Sequence, residues 1–172
     1  MKTNPKSLVL LLLLMFAIAT AFVTSDPKDK PVDSTDEAAI RNIIHEETAA
    51  YFNRDSTKLF SYYTDDEITQ CIWNSPDGSY GGYKGLHNIH KNFTTFFRKN
   101  SSPVKQPPIE RTEWFFRKFS DQWMWVNFIQ KTTGFDGKTD TSYETRILKK
   151  VDGQWKIAVM YALSNHGIVS KN

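Results

Sequence analysis

Cysteine is almost absent: Cys71 stands alone in 172 residues. An internal disulfide is therefore excluded, and packing has to hold the fold together. Net charge is nearly absent as well. Lys and Arg number 22 against 19 Asp and Glu, and two of the basic residues, Lys2 and Lys6, sit at the extreme N-terminus; without them the formal +3 falls to +1. Such a balance gives nucleic-acid binding no support. Long apolar runs are missing except for Leu8 to Ala21, which is too short to cross a bilayer as a helix. Phosphate-cradling loops, a Gly-x-Ser-x-Gly elbow, a Cys–His arrangement, internal repeats and low-complexity tracts are all lacking.

The one apolar run follows Lys2 and Lys6 and ends in the small-residue patterns Ala17-Ile18-Ala19 and Ala19-Thr20-Ala21, the signature of a secretory signal peptide. The expectation is a signal peptide over residues 1–21, a charged, proline-bearing linker over 22–33, one domain over 34–166 and a tail over 167–172. The mature protein would be secreted or periplasmic, with no stable membrane association. Its length of about 150 residues suits a single core. Aromatics supply that core, with twelve Phe, seven Tyr and five Trp.

Ser34-Thr35-Asp36-Glu37 has the spacing of a capping box. The helix it opens runs to about Asn53, with Ile40, Ile43, Ile44 and Tyr51 on its apolar stripe and Glu47 on the same stripe. Asp55 caps a second, short helix carrying Leu59, Phe60 and Tyr63. Glu67 to Trp73 reads as a strand ended by the turn cluster Asn74 to Gly78, and Gly81, Gly82 and Gly85 mark an irregular bend. A third helix follows, its stripe made of Leu86, Ile89, His90, Phe93, Phe96 and Phe97. Beyond the prolines at 103, 107 and 108 the pattern is strand: Ile109 to Phe119, Gln122 to Thr133, then a hairpin closed by Asp152-Gly153. This order predicts an α+β fold in which helices cover one face of an antiparallel sheet. Trp123, Trp125 and Ile129 alternate with Met124, Val126 and Phe128, so both sheet faces are apolar; a second copy of the chain is the expected cover for the outer one.

The two-residue turn also sets a register. Val151 faces Gln154, Leu148 faces Ile157, Arg146 faces Val159 and Glu144 faces Tyr161, which puts Glu144, Arg146 and Tyr161 on the apolar inner face.

Asp55 opening a short helix, "YYTDDE" at its end, Gly85 before the third helix and above all "YETRILKKVDGQWKI" resemble the nuclear transport factor 2-like superfamily, with its SnoaL-like members and the association domain of calcium/calmodulin-dependent protein kinase II as the nearest types. The resemblance spans about Asp36 to Ser164. It implies a conical, cystatin-like α+β domain whose strongly bent sheet wraps the N-terminal helices and leaves a deep pocket, often in a homodimer. That scaffold serves isomerases, cyclases, dehydratases and non-catalytic modules, so it does not by itself give a function. By the resemblance, the first-helix tyrosine of ketosteroid isomerases falls on Glu47 and their catalytic aspartate at about Cys71. The alternating histidines of many relatives fall on Val159 and Tyr161. Steroid isomerisation by the known route thus loses its residues.

Charges on an inner face must be paired, hydrogen-bonded or wet. Glu47 and Glu144 are the candidate acid–base groups, and Arg146 is the candidate anchor for an acidic ligand, with Tyr161, Tyr51, Trp73 and His90 lining the pocket. The expected function is an exported domain binding a small, partly apolar molecule, an acid among the candidates. The alternatives are an isomerase, cyclase or dehydratase using those carboxylates, and an assembly domain with a vestigial pocket; an architectural Glu144–Arg146 pair is the plain reading beside all three. His87-x-x-His90, with His45 and His166 elsewhere, falls short of a zinc ligand set, so neither a metal nor a cofactor is expected.

Overall fold

A computed structural model of the chain describes residues 32–75 and 77–165. The expected signal peptide, nearly all of the linker, His166 and the tail lie outside them. Three helices, α1 (Ser34–Phe52), α2 (Ser56–Ser61) and α3 (Leu86–Lys99), accompany six strands: β1 (Gln70–Asn74), β2 (Tyr80–Lys84), β3 (Ile109–Ser120), β4 (Trp123–Thr133), β5 (Thr139–Val151) and β6 (Gln154–Ser164). The strands form one sheet in the order β2-β1-β6-β5-β4-β3. The class is α+β, as the element order predicts. The sheet is mixed rather than wholly antiparallel, because β1 runs parallel to β6.

The capping motif sits one residue earlier than its spacing predicts. Asp33 is the N-cap, its carboxylate accepting from the Thr35 amide at 2.8 Å. Glu37 is thereby free to pair with Arg41 one turn on, and Val32 packs against the core. Along α1 the buried face is Ile40, Ile44, Glu47 and Ala50, the helical spacing read from the sequence. Asp55 caps α2 by accepting from the Lys58 amide at 2.9 Å.

The segment read as a glycine bend is a strand, β2. Trp73 lies opposite Gly81 and Ile72 opposite Gly82. A Cβ on Gly81 would stand 2.9 Å from the Trp73 ring, and one on Gly82 only 2.7 Å from the Cys71 carbonyl oxygen. Here glycine serves close approach between strands, not strand breaking.

The β5–β6 turn is as expected: Asp152 and Gly153 both have positive φ, 50° and 77°, and Val151 faces Gln154 and Leu148 faces Ile157. Beyond that pair the register departs from a regular ladder. Ile147 faces Val159, leaving Ala158 as an extra residue, so Arg146 faces Met160 and Glu144 faces Ala162. A β-bulge has shifted the rest of β6 by one, which turns each later side chain to the opposite face. A second irregularity in β3, where Glu113 adopts a φ of 53°, lies opposite Phe128; Trp114 stacks on that ring at 4.4 Å.

One contact ties α1 to the hairpin. Asp36 accepts from Lys150 at 2.9 Å and from the Trp155 indole at 2.8 Å. Burial alone would raise its carboxyl pKa, but those two bonds outweigh it and hold the value below the ordinary one. A carboxylate depressed in the folded state contributes stability above its unfolded pKa and loses it as pH falls through the folded one. Asp36→Ala should cost about 1–2 kcal/mol at neutral pH. In urea melts, the gap between variant and wild type should close as pH drops below about 4.

Candidate functional site

A cavity of about 470 Å³ opens between the helices and the inner face of the sheet. Its walls are aromatic and aliphatic: Tyr51 and Phe52 from α1, Phe60 from α2, Ile89, Phe93 and Phe96 from α3, Trp73 and Tyr83 from β1 and β2. The Tyr51 and Phe97 rings each contact Phe93 and Phe96 as well as each other, at 5.7–6.3 Å, which ties that wall together. At the polar end stand Glu47, Tyr63, Glu144 and Arg146.

Glu144 and Arg146 occur two apart on β5 and so share its inner face. Arg146 Nη1 donates to Glu144 Oε2 at 2.9 Å and to the carbonyls of Thr145 at 3.0 Å and Tyr161 at 3.4 Å. Ser142, two residues earlier on the same face, donates to Glu144 Oε1 at 2.6 Å. Both charged residues are buried, 3% and 5% exposed. Burial opposes the charge on Arg146, yet the neighbouring Glu144 and then Glu47 push its pKa above the ordinary value. Its Nε is buried without a hydrogen-bond partner.

Glu47 projects from α1 toward this pair and is 7% exposed. Tyr63 donates to its Oε1 at 2.8 Å. Burial, then the charge of Glu47, drives the Tyr63 phenol well above its ordinary pKa, so it remains a donor and Glu47 the acceptor. On the other oxygen, Thr48 stands at 3.5 Å while also donating to the Ile44 carbonyl at 2.8 Å. Arg111 donates to Thr48 at 2.7 Å and to Gln130 at 2.8 Å, behind the two residues that face the cavity. Burial, then the charge of Arg146, lowers the Arg111 pKa.

Glu47, Glu144, Arg146, Tyr51 and Trp73 are thus brought together as the sequence predicts. Tyr161 and His90 are not. The bulge at Ala158 aligns Tyr161 with Thr145 instead of Glu144, so its side chain faces away from the cavity, and Met160 and Ala162 line it instead. His90 is exposed beside Ile89, its ring against Phe60 at 4.4 Å; one residue of helical rotation takes it off the buried stripe. Tyr63 is the residue the sequence reading left in the core as an apolar contact. It lies just past the end of α2 rather than on that helix, bridging to Ile157; a buried glutamate needs a donor, and a tyrosine this close in sequence was the available signal. Cys71 is fully buried, and burial pushes its thiol to about 11.

Neither a protein-family model nor a curated protein matches the chain. Solved structures do. A nuclear transport factor 2-like protein of unknown function from Shewanella oneidensis superposes with a TM-score of 0.57 at 15% identity, covering 74% of this chain and 98% of that one. The chain has the nuclear transport factor 2-like fold. A cystatin-like-fold protein of unknown function from Nostoc punctiforme gives a TM-score of 0.62 at 8% identity over 79% of this chain and 96% of its own. A ketosteroid isomerase-like protein from Erwinia carotovora atroseptica gives 0.54 at 18% identity over 77% and 98%. On this fold the cavity residues, not the scaffold, have to carry any statement of function.

The ion pair itself is open to test. Glu144→Leu alone strands Arg146 without its counter-charge and should cost about 3–5 kcal/mol. Glu144→Leu combined with Arg146→Met should recover most of that loss in urea denaturation, giving strongly non-additive energies. Additive losses would show that the two charges do not act as a pair.

Proposed function

We propose that this domain binds a small, partly apolar molecule in the cavity between its helices and its sheet. The observation carrying this reading is the union of an aromatic-walled space of about 470 Å³ with three buried charged side chains at one end. That volume and lining suit a ligand whose apolar body packs on rings while a few polar groups fix its orientation. Buried ion pairs add little net stability, so a packed apolar core would have served architecture as well.

A second reading has its own observation. The Tyr63–Glu47 contact sets a phenol donor against a carboxylate on the cavity wall, the elements of acid–base chemistry on a bound ketone or alcohol. The likeness to the Erwinia ketosteroid isomerase-like protein is in keeping with it at the level of the fold. Export through the apolar segment from Leu8 to Ala21 completes the proposal, with the working domain secreted or periplasmic.

Self-association accompanies it. Phe115, Phe119, Tyr143 and Leu163 are about half exposed or more on β3, β5 and β6, and Trp125 lies beneath Phe115 and Phe119 at 5.6 and 6.3 Å. A second copy packed on this outer face would cover them.

Thermal-shift measurement against a panel of aromatic acids, ketones and amines should give saturable stabilisation with at least one class, of about 2–3 kcal/mol at a hundredfold excess over Kd. Trp73→Ala should weaken that binding. Conversion of a bound compound to product, lost in Glu47→Gln with affinity retained, would favour the enzyme reading; a panel without any shift would remove both. Light scattering should report about twice the monomer mass, and Trp125→Glu should return the monomer.

A further inference from the structure

The charges facing the cavity are not evenly partnered, and their imbalance bears on what enters it. Arg146 has its counter-ion in Glu144, and its Nη1 already serves that carboxylate and two carbonyls. An anionic ligand would meet the charge of Glu144 beside this guanidinium, although Arg146 Nε is buried without a partner. Glu47 is the opposite case. Among the described residues no Lys, Arg or His makes an ion pair with it; it receives the neutral Tyr63 hydroxyl and little else. The Thr48 hydroxyl has one proton, and with Ile44 O at 2.8 Å against Glu47 Oε2 at 3.5 Å, that proton goes to the carbonyl. Of two further cations nearby, Arg54 lies over the Tyr51 and Phe96 rings at 5.2 and 5.1 Å, and Arg111 lies behind Thr48 and Gln130, so the cavity meets a hydroxyl and an amide there rather than a guanidinium.

Glu47 Oε2 is therefore a buried anionic acceptor lacking a strong donor. Arg146 and Arg111 act on Glu47 through space, without an ion-pair contact, so this oxygen keeps room for a directly bonded cationic donor. The walls beside it are ring faces: Tyr51 stands one helical turn along the same face of α1, with Phe60, Trp73, Tyr83 and Phe93 around the space. A carboxylate joined to aromatic faces is the combination that receives an organic cation, the carboxylate by charge and hydrogen bond, the rings by their negative quadrupole.

We infer that the ligand is an aromatic or aliphatic amine whose ammonium group sits on Glu47 and whose apolar body lies against the rings. This rests on the binding reading above and names its ligand class. It reverses the acidic ligand expected from Arg146 alone, since the structure commits Arg146 to Glu144.

Calorimetry with tryptamine, tryptophol and indole-3-acetate, which share a ring and differ in the terminal group, tests it directly. Wild type at neutral pH should bind the amine at least about tenfold more tightly than the alcohol and the acid. Glu47→Gln should abolish that preference, bringing the amine down to the affinity of the alcohol. Preference for the acid, equal binding of all three, or an amine preference that survives in Glu47→Gln overturns the inference while leaving a binding function intact. Failure of all three compounds, together with the silent panel described above, overturns the binding function itself. Should Glu47→Gln not fold, the ranking of the three compounds on wild type decides the question alone.

Discussion

Ala158 is one residue too many for the ladder between β5 and β6, and most of the cavity follows from it. Because Leu148 pairs with Ile157 and Ile147 with Val159, the backbone of β6 kinks at Ala158 and its far half changes face. Met160 and Ala162 come to line the cavity, small and flexible side chains that leave room where a tyrosine would have filled it. Next to the kink, Ile157 uses its backbone on the other side: its amide donates to Tyr62 O at 2.7 Å and its carbonyl accepts from Thr64 at 2.9 Å. That clamp straddles Tyr63 and fixes the hydroxyl at Glu47. A bulge in one strand thus determines both how much space there is and which donor reaches the buried carboxylate.

The polar end of the cavity is stable only as a set. Ser142, Glu144 and Arg146 occupy successive inward positions of β5, where Leu148 follows as the first apolar one. Each position would favour an apolar residue if burial were the sole criterion. Their hydrogen bonds close on one another, so the desolvation of Glu144 is offset from two sides, by Ser142 and by Arg146. Half-satisfied networks of this kind are worse than an apolar core. Glu47, held from one side only, is the place where the set remains open.

How much of this was legible depended on the range of the signal. Asp152-Gly153 fixed a turn because two positive φ values leave few residue choices, and the alternation from Glu144 to Leu148 correctly named the inward face of β5. The caps at Asp33 and Asp55, one residue apart from expectation in the first case, are local chemistry. The bulge is not: Ala158 carries no glycine, proline or charge to announce it, and regular counting beyond Ile157 misplaced Tyr161. Gly81 and Gly82 looked like breakers because their function, passing under Trp73 and against the Cys71 carbonyl, exists only once β1 is alongside. The parallel pairing of β1 with β6 joins residues almost ninety apart in sequence, beyond any pattern in either segment. Tyr63 was hidden for a related reason, since it lies just past α2 and its partner Glu47 lies on α1.

The same geometry limits where acid–base work could reside. Cys71, which the resemblance sets near the catalytic aspartate of ketosteroid isomerases, is buried, and with its thiol at about 11 it stays neutral near pH 7 and cannot accept a proton as that aspartate would. Glu144 is occupied by Ser142 and Arg146 on both oxygens. Arg146 is held in its charged form by the two glutamates around it. Tyr63, its phenol raised by burial, can donate but does not ionise. What is left facing the cavity with an available acceptor is Glu47 Oε2. That oxygen differs from the carboxylate of Glu144, whose two oxygens are taken by Ser142 and Arg146, in that the chain offers it only the distant Thr48 hydroxyl.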